Sequence, residues 1–352
     1  MPQRTREESR VAADDAARAT PGQPAPPAKA RAWQRVELAR QIARYGVPLA
    51  IVATFVVFSL LRPDAFFTAL TVKGILRDSV PLMIVALGIT AVLAMNDYDL
   101  SVGGLISLCA TTVIVLMSAE WVGMHWGLAI IATIALGGLL GLLNGIFIAY
   151  IGLPSFILTI ASGTVFAGLA LEIVDSRSVY LGIPESFGEL AGGTFLGFSN
   201  QVFIGIGVVV LAHLFLRHTE HGRYMYAIGG NPEAARLAGV RVRRLRAGGF
   251  VLVGVAAAMA GILINSGAGA ANPNTGIGLL LPAYAAAFLG SSMFRVGVFT
   301  PVGTALGALY LQIIGTGLTI MNLAGPIVQM IQGSILIAAV LVSRVTRADE
   351  HR

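Results

Sequence analysis

Long apolar runs constrain this chain more than any other feature. Stretches of about 16–25 mostly apolar residues, the length a bilayer's hydrocarbon core demands, recur from Gly46 onward. They fall near 46–61, 80–95, 101–119, 126–150, 154–174, 201–216, 249–265, 278–294, 299–320 and 326–343. That pattern predicts an all-α integral membrane protein of about ten transmembrane helices. The interruption at 96–100 reads either as a loop or as a break inside one re-entrant element. Composition agrees, because 56% hydrophobic and 12% charged residues cannot cover a soluble fold with polar surface. The 42 glycines fit helices that approach one another closely in a bilayer. Cys109 is the single cysteine, which excludes an internal disulfide. It sits in an apolar run and reads as a small core residue.

Charge then orients the spans. Residues 1–45 lack periodicity and read as a disordered, basic cytoplasmic tail. They do not read as a signal peptide, because Arg31, Arg35, Arg40 and Arg44 precede the first apolar run and no small-residue cleavage site follows it. With that tail inside, all but four of the 24 Lys and Arg residues fall on the cytoplasmic side. The four outside are Arg62, Lys73, Arg77 and Arg177. The split supports an even number of helices with both termini cytoplasmic. The +6 net charge is thus an orientation signal, and nucleic acid is not an expected partner. The organisation is a tail over 1–45, a membrane domain over 46–345 and a second cytoplasmic tail over 346–352.

The cytoplasmic segment 217–248 contains a short helix with both ends specified. Asn231 is its N-cap, Pro232 takes the first helical position, and Glu233 favours the positive end of the dipole. Gly239 closes it as a left-handed residue after Ala238. An exposed small-residue helix of this kind suits docking into a groove of a cytoplasmic partner. The other reading is a loop helix lying on its own membrane domain. His218 and His221 face a basic loop without a nearby Cys or acid cluster, so no metal site is expected.

Polar residues within the apolar runs are few. Asp97 and Asp99 lie in Asn96-Asp-Tyr-Asp-Leu-Ser-Val-Gly-Gly104. A carboxylate at membrane depth is expensive and usually functional. Asp99 also precedes a helix opening at Ser101, where an acid satisfies free backbone N–H groups. The capping role is favoured over substrate contact, and both place this element near a translocation route. Asn144 and Thr159 read first as cross-helix hydrogen-bonding groups. Gly137, Gly141 and Gly145 form one small-residue face, and Gly303 and Gly307 another; both read as packing surfaces that can include a subunit interface.

Three stretches carry a resemblance. Gly222-Arg-Tyr-Met-Tyr-Ala-Ile-Gly-Gly-Asn-Pro-Glu-Ala-Ala-Arg-Leu-Ala-Gly-Val240 resembles the coupling segment of ABC importer permeases for monosaccharides, the ribose, xylose and galactoside branch. Asp99-Leu-Ser-Val-Gly103 resembles that family's I-D-L-S-V-G motif. Asn144 through Thr159, with Pro154 and Phe156 between, resembles its N-G-x-x-x-A-x-x-x-x-P-x-F-I-x-T pattern. The resemblance implies a type II-like importer permease in the bacterial inner membrane, working as a homodimer or heterodimer. It implies separate cytoplasmic ATPase subunits, which hold the ATP and Mg, and an extracytoplasmic solute-binding protein. This chain has no G-x-x-x-x-G-K phosphate loop of its own, so no cofactor is expected on it.

The resemblance places Gly229, Gly230, Asn231, Pro232, Glu233, Ala234, Ala235, Leu237 and Gly239 in the element that couples to the ATPase. Asn96, Asp97, Asp99, Ser101, Gly103, Asn144, Phe156 and Thr159 become candidates for the translocation pathway. Two departures stand out. Asn96-Asp97-Tyr98 replaces a usual Gly-Gly-Ile, and Gly290-Ser-Ser-Met-Phe-Arg-Val-Gly297 replaces a glycine-rich turn. The expected cargo is a pentose, hexose or related polyhydroxy solute. The competing reading is an ion-coupled secondary transporter, for which Asp97 and Asp99 are the candidate ion ligands.

Overall fold

The computed structural model describes residues 46–118, 120–180, 183–294 and 297–350. The amino-terminal tail and Arg295, both used in the charge argument, lie outside them. All described residues belong to the second of two units into which the chain divides, Ala43–Arg352.

Each apolar run is helical. In chain order the helices are α1 (Gly46–Leu61), α2 (Ala69–Leu93), α3 (Val102–Met117), α4 (Trp126–Ile146) and α5 (Ser155–Ile173). There follow α6 (Glu185–Gly192), α7 (Asn200–His218), α8 (Glu220–Gly230), α9 (Pro232–Leu237), α10 (Val242–Ala268), α11 (Leu280–Ser291), α12 (Pro301–Ile320) and α13 (Gly325–Glu350). A π-helical turn, Phe147–Ile151, prolongs α4. Among the described residues, six helices are long and apolar enough to cross a membrane: α2, α4 with its π-turn, α5, α7, α10 and α12. The apolar parts of α1, α3, α11 and α13 are shorter. The chain is a multi-pass membrane protein.

Two starts differ from expectation. α2 begins at Ala69 rather than near 80, capped by Thr68, whose side chain accepts from Thr71 N. Lys73 and Arg77 mask that first part in hydropathy, but neither breaks a helix. The Lys73 ammonium lies 5.4 Å over the Phe198 ring, and Arg77 pairs with Asp78 at 2.7 Å. Long basic side chains at a span's end keep their heads in polar surroundings. α10 begins at Val242 rather than near 249, so the basic run Arg243–Arg246 is its first turn and not a loop. The segment between α5 and α7 also holds structure that hydropathy does not signal: α6 and a hairpin pairing Thr194 with Ser199 and Phe195 with Phe198.

α10 is the central helix, packing on α2, α3 and α4. Small residues make that possible. A Cβ at Gly137, Gly141 or Gly145 of α4 would run into the α10 backbone at Gly254, Phe250 and Ala247 respectively. Gly303 and Gly307 of α12 meet Gly290 and Ala286 of α11 in the same way. Both small-residue faces are therefore filled within one chain, which leaves neither for a subunit interface. In bilayers, where lipid is as apolar as leucine, such close backbone approach is the main source of helix affinity. The outer helices α4, α5 and α7 instead expose large apolar side chains such as Ile131, Ile157 and Leu211.

Candidate functional site

Residues 94–101 interrupt the chain between α2 and α3, and this break organises the site. Asn96 has φ 60°, a left-handed backbone that glycine adopts most easily and asparagine next. Beyond it, four consecutive backbone N–H groups lack helical partners and find side chains instead. Tyr98 N donates to Ser155 Oγ (3.3 Å), Asp99 N to Tyr284 Oη (2.8 Å), Leu100 N to Thr159 Oγ1 (3.0 Å) and Ser101 N to Asp99 Oδ1 (2.9 Å). Ser101 Oγ also donates to Asp99 Oδ1, at 2.5 Å, and accepts from Asn144 Nδ2 at 3.0 Å. Irregular backbone inside a membrane protein persists only where protein satisfies it, and α5, α11 and the Asp99 carboxylate do so here. Asp99, Ser101, Asn144 and Thr159 are all buried. One carboxylate oxygen of Asp99, Oδ2, has no hydrogen-bond partner among the described residues.

The segment 217–248 packs directly against this break. Thr219 caps α8, accepting from Gly222 N at 3.1 Å. Met225 and Ile228 of α8 join Leu216, Ala235 and Met95 in one apolar cluster. Gly229 lies so close to the Ala94 carbonyl that no Cβ fits there. Asn96 Nδ2 donates to Gly229 O at 2.6 Å. From the base of α10, Arg246 grips Asp97 with two bonds, Nε to Oδ2 and Nη2 to Oδ1, each 2.7 Å. Tyr226 of α8 reaches a second interruption, donating its hydroxyl to Phe299 O at 2.6 Å just ahead of α12. Burial raises the pKa of the Tyr226 phenol above its ordinary value, against the opposing pull of Arg217, so it remains a donor.

α9 hangs below as a short, doubly capped helix. Asn231 Oδ1 accepts from Glu233 N and Ala234 N, both at 3.0 Å. At the other end Val240 N bonds Ala235 O and Gly239 N bonds Arg236 O, each at 3.0 Å. That pair is a Schellman closure around Gly239, whose φ is +86°. Ala235 faces inward and is buried, whereas Leu237 is 80% exposed. Ala234, Ala238 and Gly239 are exposed beside it, and Glu233 pairs with Arg236 at 2.6 Å.

A family model described as "Branched-chain amino acid transport system / permease component" matches residues 71–340, well over half of the chain. The chain belongs to this permease family. Known relatives are permease proteins of sugar transport systems. The L-arabinose ABC transporter permease protein AraH of Azospirillum brasilense is 32% identical over 326 residues, 91% of this chain and 92% of the relative. The ribose import permease protein RbsC of Escherichia coli K12 is 32% identical over 300 residues, covering 84% and 91%. The xylose transport system permease protein XylH of the same strain is 28% identical, covering 85% and 91%. These are transport components rather than enzymes, and so is this permease.

Within the permease, the residues singled out from sequence separate into three groups. Asp99, Ser101 and Asn144 meet in one hydrogen-bonded cluster, and Thr159 accepts from the Leu100 N–H within the same break. Gly103, on α3, lies against Gly276 and Ile277 on the far side of the same helix start, while Phe156 is exposed on α5 and stands apart. At the other end of the break Asn96 bonds Gly229 and Asp97 pairs with Arg246, and Gly230 ends α8 just before the Asn231 cap. Sequence reasoning missed Tyr226, Arg246 and Tyr284, whose partners are distant in sequence. Arg246 alone had a signal, as a basic residue at the start of an apolar run.

Proposed function

We propose that this permease is the membrane-spanning subunit of an ATP-driven ABC importer for a sugar, with α9 as the handle by which a separate ATPase moves it. The observation that carries the reading is α9 itself. A six-residue helix with both ends capped displays Leu237 almost fully to its surroundings. Isolated helices this short are marginal in water. Fixing one firmly and leaving its leucine bare fits docking into a partner's cleft. The relatives, permeases of an L-arabinose ABC transporter, of ribose import and of a xylose transport system, support a pentose, hexose or related polyhydroxy cargo.

In this reading all ten apolar helices cross the bilayer, with the shorter four completing the six long ones. Both termini and 217–248 are cytoplasmic, and the membrane is the bacterial inner membrane. Residues 1–45 and 346–352 are tails on a membrane domain over 46–345. Cytoplasmic ATPase subunits carry ATP and Mg, an extracytoplasmic binding protein delivers cargo, and a second permease chain completes the pathway. Asp99, Ser101, Asn144 and Thr159 line or support that pathway at the start of α3. Because Arg246 already pairs with Asp97, only Asp99 would be left as a coupling-ion ligand, which disfavours a secondary transporter.

Affinity purification in mild detergent tests this directly. Co-purification of an ATP-hydrolysing chain that is lost in Leu237→Asp is the expected result. Recovery of a transport-active permease with no ATPase in the preparation would overturn the proposal.

A further inference from the structure

We propose that the Asp97–Arg246 pair is a positioning contact that makes the start of α3 follow movements of the cytoplasmic segment. The inference rests on the permease reading above. The break is held from two sides with almost no slack between them. On the cytoplasmic side Ala94 lies against Gly229, Asn96 bonds Gly229 O, and Asp97 is gripped by the base of α10. On the membrane side the backbone from Tyr98 to Ser101 is bonded to α5, α11 and the Asp99 carboxylate. A single peptide unit separates Asp97 from Tyr98. A shift of α8 and the base of α10 is therefore delivered to Asp99, and through it to the first turn of α3.

The pair suits that task in its geometry and its surroundings. Two parallel N–H···O bonds at 2.7 Å resist both sliding and rotation, which a single contact does not. The Asp97 side chain is 5% exposed and that of Arg246 30%, so solvent screens the pair less than an ordinary surface ion pair. It also arises from the stretch where Asn96-Asp97-Tyr98 replaces the Gly-Gly-Ile that the resemblance leads one to expect. A glycine at 97 offers no side chain to hold.

A cysteine reporter placed between the two anchored sides tests the pair. Tyr98 is exposed at the break, and the native Cys109 is buried, so Tyr98→Cys provides one reactive thiol. The full-length permease with its co-expressed ATPase is placed in lipid nanodiscs, and maleimide labelling is timed with and without ATP plus vanadate. We expect a several-fold nucleotide-dependent change in rate in the parent. Adding Asp97→Asn should abolish the change while the complex still hydrolyses ATP, and the swap Asp97→Arg with Arg246→Asp should restore most of it. Arg246→Lys keeps the charge but loses the fork, and an intermediate response is expected; it decides the question if Asp97→Asn fails to assemble. A full response in Asp97→Asn or Arg246→Lys overturns the role of the pair alone. A parent with no nucleotide response overturns the permease–ATPase reading beneath it, and the pair with it.

Discussion

Asn96 shows how one residue can serve backbone and contact together. Its φ of 60° is unfavourable for most side chains by roughly 1–2 kcal/mol, and asparagine tolerates it better than any other residue except glycine. The same side chain then ties the break to Gly229. Asn96→Ala loses both features, and Asn96→Gly loses only the bond. We expect the alanine variant to be the less stable by about 1 kcal/mol in thermal unfolding in detergent. Because both variants lack the bond, equal stability or the reverse order would refute the backbone cost assigned to this position. Gly239 is the corresponding position on α9. With φ +86° and the Schellman closure around it, a β-branched residue there opens the end of the helix. Gly239→Val should remain folded, as judged by size-exclusion profile, and lose ATP-driven transport; normal transport would refute its role. Asn231→Ala should weaken the other end by about 1 kcal/mol, read as reduced recovery of the ATPase.

At the level of elements, α4 and α10 pack closely, with three glycines four residues apart meeting backbone. Gly141→Leu forces those helices apart, and overpacking typically costs about 1–3 kcal/mol or more. Sharply reduced yield of monodisperse protein is the expected result, whereas the same change at Gly168, which meets nothing within 4 Å, should be tolerated. The spans were legible because their apolar runs are long, and α9 was legible because Asn231, Pro232 and Gly239 specify it locally. The start of α2 was hidden because Lys73 and Arg77 lower hydropathy without lowering helix propensity. α8 was hidden because three glycines and mixed polarity over Glu220–Gly230 weaken any period. At the site, Asp99 and Ser101 were legible as a helix start from their own local order. Arg246, Tyr226 and Tyr284 were not, because each acts on a partner at least 73 residues away.

In the whole molecule, a buried central helix, a satisfied break at 94–101 and the segment 217–248 that touches it form one connected unit. The orientation proposed from the distribution of basic residues can be checked with single cysteines. Cysteine at Phe195, in the hairpin, should react with an impermeant maleimide in intact cells. Cysteine at Leu237 should react only after the membrane is opened. The central claim is that ATP hydrolysed by a separate chain drives the permease through α9. Sugar uptake into proteoliposomes holding permease, ATPase and binding protein, with ionophores collapsing every ion gradient, tests it most directly. We predict that uptake of labelled D-ribose, L-arabinose or D-xylose persists with the ionophores, requires ATP, and disappears in Leu237→Asp. Uptake that proceeds without ATP and stops when the ion gradients collapse would contradict it.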